Sequence, residues 1–187
     1  RKRIGKATKW VITTRLDNDD CLHRDAIMSV KDNIIPKHRY LISLASGYVL
    51  NIHEKTLSHY FYPMSPFLSL VEDVDKEVEG VYFKGHTKWD SLRLFVFREL
   101  WLEYFNRKAR NSRFILRKPL WIQTVHGSNV SNSFFRGFPV MKERNLIDFS
   151  LNLNTKRMSF KTIPQYCHYV TWKRYIKCLI VKILLKK

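Results

Sequence analysis

The chain's 187 residues make one domain's worth of polypeptide, and 45% apolar content with 14% aromatics excludes a disordered segment. Lysine and arginine total 34 against 16 acidic residues, so the formal charge of +18 points to polyanionic partners: nucleic acid, anionic lipid or phosphorylated substrates. Three cysteines (Cys21, Cys167, Cys178) exclude a disulfide framework and a zinc finger; with no signal peptide and no uncharged apolar run of membrane-spanning length, a reducing cytosol fits best.

Residues 10–15 are β-branched and apolar and are expected to form a buried strand. The run breaks into Asp17-Asn18-Asp19-Asp20, residues that favour turns. Residues 25–31 suit a short helix packing Ile27 and Val30, ended before Pro36. Residues 40–44 and 48–52 read as strands around Ala45-Ser46-Gly47, with 56–62 a third, reversed at His53-Glu54-Lys55; together they suggest an antiparallel meander. Residues 67–71 are apolar and expected to be buried, and 81–83 suit a short strand between Gly80 and Gly85.

Asp90 suits the cap of a helix whose stripe is Leu94, Phe97, Leu100, Trp101, Tyr104 and Phe105. Residues 106–118 form a basic connection. A strand is expected over 120–125, ending at His126-Gly127; an aromatic turn over 134–139; and a short helix over 140–149 with Ile147 and Phe149 inward. At the C-terminus Trp172, Tyr175, Ile176, Leu179, Ile180, Ile183 and Leu184 share a helical stripe among lysines and arginines. That pattern suits either a core helix or one lying in the interface of an anionic membrane.

The acidic turn carries the sharpest chemistry. Like charges at a strand end repel unless something positive sits among them. Mg2+ or Mn2+, held by one or two carboxylates and a substrate's phosphates, answers that need, and strand carboxyl ends are where open α/β sheets bind ligands. A solvated turn is the alternative. An EF-hand is excluded, because a loop starting at Asp17 would put Leu22 where glycine is required and Met28 where the bidentate glutamate belongs.

Residues 14–20 resemble the metal-binding Asp-x-Asp segment of nucleotide-sugar glycosyltransferases with the GT-A fold. More narrowly, they resemble the rhamnosyltransferase-like family of bacterial polysaccharide enzymes. A second block, 119–132, and a weaker third, 66–72, carry the same resemblance in the expected order. The fold it implies is a GT-A-like α/β mixed sheet over residues 1–150, followed by a basic amphipathic extension over 151–187. Only nine residues precede Trp10, so the nucleotide-binding βαβ half is expected to be missing and the chain to be the C-terminal part of the domain.

The implied activity is divalent-metal-dependent transfer of a sugar from a nucleotide-sugar donor to a surface polysaccharide or lipid-linked glycan. It would take place at the inner face of the membrane, reached through 171–187. The resemblance assigns Asp17, Asp19, Asp20 and His126 to the metal, Asp20 serving beside or instead of Asp19, and Arg15, Asp17 and Asn129 to the donor. Glu72 or Asp73 takes the position of the catalytic base, with His86 a second candidate. Arg15 paired to a neighbouring carboxylate, His126 bonded to backbone, and Glu72-Asp73 as a solvated pair are the plainer alternatives. The competing class is a non-catalytic basic module on nucleic acid or anionic membrane; no motif for specific nucleic-acid recognition is present.

Overall fold

The structure, a computed structural model, describes residue 5 and residues 7–62, 65–81, 112–126 and 137–159. These form β1 (Trp10–Thr14), β2 (Cys21–Leu22), α1 (Ala26–Lys31), β3 (Tyr40–Leu44), β4 (Ser46–Asn51), β5 (Thr56–Phe61), β6 (Leu68–Asp73), β7 (Ser112–Ile115), β8 (Trp121–Val125), β9 (Phe138–Pro139) and a 3-10 turn, Ile147–Phe149. The described chain is therefore mixed α/β with very little helix. One sheet has the order β1-β6-β3-β7 and the other β2-β8-β4-β5-β9.

One continuous run of chain, β3 followed by β4, passes from the first sheet into the second. Every residue of β3 is buried, as a strand with neighbours on both sides and cover on both faces requires. At Ala45 the run leaves one sheet for the other without turning: its N–H donates to Ile115 (3.0 Å) and its carbonyl accepts from Tyr62 (2.8 Å). Along one flank β6 and β5 run antiparallel to β3 and β4. Along the other, β7 and β8 run parallel to them. β1 adds outside β6 and β2 outside β8, both antiparallel, so the turn between β1 and β2 bridges the two sheets.

Trp121 is the centre of this junction. It is wholly buried, stacked on Phe67 at 4.7 Å, and its indole N–H donates to the Leu44 carbonyl at 2.6 Å. Its ring lies over Gly47, where a Cβ would come within 2.0 Å of an indole carbon, so glycine is needed for the close approach rather than for a turn. Ala26, Val30, Tyr40, Ile42, Leu44, Phe67 and Val71 pack with it between α1 and the first sheet. Burying each large side chain here stabilises the fold by roughly 1.5–3 kcal/mol. A separate cluster of Leu50, Leu57, Ile122, Leu146 and Phe149 covers the second sheet.

Several expectations are corrected. The expected three-strand meander is a hairpin of β4 and β5 only; β3 and β4 do not pair with each other but follow end to end. β1 is half-buried along its length because it lies at a sheet edge. Ile27 is exposed, since α1 turns Ala26 and Val30 inward. The basic connection contains β7, in which Ser112 and Phe114 face inward and Arg113 outward. Of the strand expected over 81–83, Val81 lies in a turn and the other two residues are outside those described. In place of a helix over 140–149 there is the single 3-10 turn, with Phe149 buried and Ile147 62% exposed. The helices expected from Asp90 and from Trp172 lie outside the described residues. Among the described residues no helix is long and apolar enough to cross a membrane.

Candidate functional site

β1 ends at Thr14, where the Arg15 N–H still bonds to the Leu68 carbonyl of β6 at 2.9 Å. The chain then turns, the Asp20 N–H closing on the Asp17 carbonyl at 3.2 Å, and enters β2 alongside β8. The acidic turn thus sits where the carboxyl ends of β1 and β8 meet.

Its carboxylates are held in three different ways. Asp17 receives the Arg15 guanidinium on both oxygens, at 3.0–3.2 Å, a bidentate pair that largely neutralises it. Asp20 is buried, and its Oδ1 accepts the backbone N–H of Thr124 at 3.1 Å. Burial pushes its carboxyl up to about 7, with the charges of Asp19 and Asp17 adding to the rise and the Thr124 bond and Arg15 opposing it. The Asp19 side chain is 43% exposed and has Oδ2 3.6 Å from His126 Nε2. The Thr124 hydroxyl donates to the Asp19 carbonyl, fixing the turn against β8.

The structure therefore brings Asp17, Asp19, Asp20, Arg15 and His126 together. Arg15 is turned onto Asp17, the plainer of its two alternatives. Asn129 and His86 lie outside the described residues. Glu72 and Asp73 are elsewhere: Asp73 pairs with Trp10 at the start of β1 and Ser69 with Thr14 at its end, a separation of roughly 13 Å at strand rise. Glu72 is wholly buried, with Oε1 accepting the Glu79 N–H at 3.0 Å and Oε2 the Gly80 N–H at 2.9 Å. A base needs a free oxygen beside its substrate, and this carboxylate is committed to holding a loop. Asp73 Oδ1 likewise accepts the Asp75 N–H, at 3.1 Å.

Comparison with protein-family models, with curated proteins and with solved structures gives no significant match to this chain.

Among the described residues, no three His, Cys, Asp or Glu side chains converge closely enough to cage a metal ion unaided. Mg2+ and Mn2+ bound through one or two carboxylates and a substrate's phosphates need no such cage. Asp19 and Asp20 are the carboxylates that such an arrangement would use, the first exposed and the second buried where its charged form is disfavoured, with the His126 imidazole adjacent. Thr124 is the site residue that pattern reading passed over. A threonine near a strand end is ordinary, and only the register of β2 on β8 brings it to the turn.

Proposed function

We propose that this chain is the acidic-turn part of a GT-A-like, divalent-metal-dependent glycosyltransferase of the rhamnosyltransferase-like kind, using a nucleotide-sugar donor and building a surface polysaccharide or lipid-linked glycan. One observation carries the reading: a strand-end turn that gathers three carboxylates, in which Asp17 is paired with Arg15, Asp20 is buried with its carboxyl raised to about 7, and the exposed Asp19 stands beside His126. Further support comes from the mixed sheets, with the turn lying at the carboxyl ends of β1 and β8.

In this reading Asp19 and Asp20 hold Mn2+ or Mg2+, which supplies charge neutralisation for a diphosphate leaving group when bound. Arg15 keeps Asp17 in place and so shapes the turn. Thr124 orients Asp20 through its N–H and Asp19 through its hydroxyl. The reading assigns no base among the described residues. A peripheral position on an anionic membrane through residues 171–187 belongs to the same proposal.

Mn2+ binding followed by its electron paramagnetic resonance signal, with and without a nucleoside diphosphate, tests it. The expected result is metal binding that tightens with the diphosphate in the wild type and is lost in Asp19→Ala. Equal binding in both proteins would leave a solvated acidic turn. Metal-dependent hydrolysis of a nucleotide sugar separates the enzyme from a basic nucleic-acid-binding module, which would show none.

A further inference from the structure

α1 is held on the first sheet by Ala26 and Val30. A helix of six residues has no stability of its own, so this packing alone decides which side faces out. The outward side shows Ile27, Met28 and Ile35, exposed at 51%, 53% and 48%. The Asn33 N–H bonds to the Val30 carbonyl and that of Ile34 to Lys31, so the helical course continues beyond α1. Ile27 and Lys31, four residues apart, share one side of α1, and Ile35 follows in the turn before Pro36, where the Lys37 N–H bonds to its carbonyl at 2.7 Å. Single exposed aliphatics are ordinary; two adjacent ones on a six-residue helix and a third in the turn that follows, none serving the core, make a surface with a use.

The surrounding charges say what kind of partner fits. Arg24 precedes α1, Lys31 ends it and Lys37 follows; Arg113 reaches from β7 to the Asn33 side chain at 3.1 Å, and Lys118 reaches Asp25. Among the described residues the acidic groups here are Asp25, paired with Lys118, Asp148, paired with Arg24 at 3.3 Å, and Asp32. Basic groups outnumber them five to three on a chain of net charge +18. A second copy of so cationic a chain would be repelled, and nucleic acid has no use for the exposed aliphatics. Aliphatics ringed by cations match the boundary between headgroups and acyl chains.

We propose that the outer side of α1, with the turn through Lys37, is a docking surface for an anionic lipid bilayer. This contact is made by the folded domain itself, separate from residues 171–187, and it stands whether or not the chain transfers sugar. Co-sedimentation of the full chain with phosphatidylglycerol–phosphatidylcholine vesicles tests it, together with hydrogen exchange of the α1 amides in their presence. The triple variant Ile27→Ser, Met28→Ser, Ile35→Ser is expected to bind about tenfold more weakly than wild type with an unchanged melting temperature. Ile52→Ser, exposed on the β4–β5 turn, should bind as wild type does. Vesicles should slow exchange in α1. Undiminished binding by the triple variant, or no protection of α1, would overturn the proposal and leave the lipid contact to the C-terminal segment. So would loss of duplex RNA binding in Lys31→Glu while its vesicle binding stays intact.

Discussion

Glu72 and Asp20 are both buried carboxylates next to the ends of β1, and the fold treats them in opposite ways. At the start of β1, Glu72 has a backbone N–H on each oxygen, from Glu79 and Gly80, and the same loop is tied again where Val81 donates to the Thr13 hydroxyl at 2.8 Å. At the other end Asp20 accepts the Thr124 N–H and has two like charges, Asp17 and Asp19, as neighbours. Burial alone thus does not mark a functional carboxylate. A carboxylate whose donors match its lone pairs serves the structure, and one buried without them is poised to take up a proton or a cation.

Replacing Glu72 should break the structural half of this contrast and give the largest effect. Glu72→Leu removes the acceptors of two part-buried N–H bonds, from Glu79 and Gly80, which costs about 2 kcal/mol. Urea denaturation measures it, and Mn2+ binding by the folded fraction should not change. A loss below about 1 kcal/mol would mean that the 79–81 loop does not depend on this anchor.

Asp19→Ala acts on the other half. It removes the exposed carboxylate of the turn and is expected to weaken Mn2+ binding at least tenfold while leaving the fold intact. Asp17→Ala should do so less, because its charge is already taken by Arg15. Equal losses in the two variants would show that the Arg15 pair opens when metal binds.

Asp20 gives a smaller effect with a definite pH dependence. Its folded-state pKa of about 7 lies above that of an unfolded chain, so the native state binds an extra proton between roughly pH 4 and 7. The associated stability is complete at low pH and is lost as pH rises through 7. Asp20→Asn keeps an acceptor for the Thr124 N–H and removes the loss. It should equal wild type near pH 4 and exceed it by about 1–2 kcal/mol at pH 8 in thermal melts, a gap that saturating Mn2+ narrows.

The strands were legible where apolar and β-branched runs were long enough, as in β1, β3 and β8, and the acidic turn stood out because no core explains it. What escaped depended on neighbours distant in sequence. Ser46 and Gly47 look like turn residues, yet they are strand residues, the glycine accommodating the Trp121 ring from β8. β7 alternates inward and outward over only four residues, too brief a pattern to stand out among arginines. Glu72 closes an apolar run in the manner of a base; only the return of residues 79–81 shows what it binds. Ile27 sits one position from the inward stripe of a helix whose rotation the first sheet alone decides.

His126 is where the contrast between structural and functional groups is narrowest, and its removal should give the smallest effect. The residue follows β8 directly, its side chain is 35% exposed, and Nε2 lies 3.6 Å from Asp19 Oδ2, longer than a hydrogen bond. An exposed ion pair of that length contributes at most about 1 kcal/mol, so His126→Ala should melt within a degree or two of wild type. An imidazole completing a metal site gives the cation a ring-nitrogen lone pair, and its loss weakens metal binding without touching the core. The variant should therefore bind Mn2+ a few-fold more weakly than wild type while its melting temperature holds. A histidine that merely faces Asp19 predicts otherwise: removing it would leave Mn2+ binding unchanged.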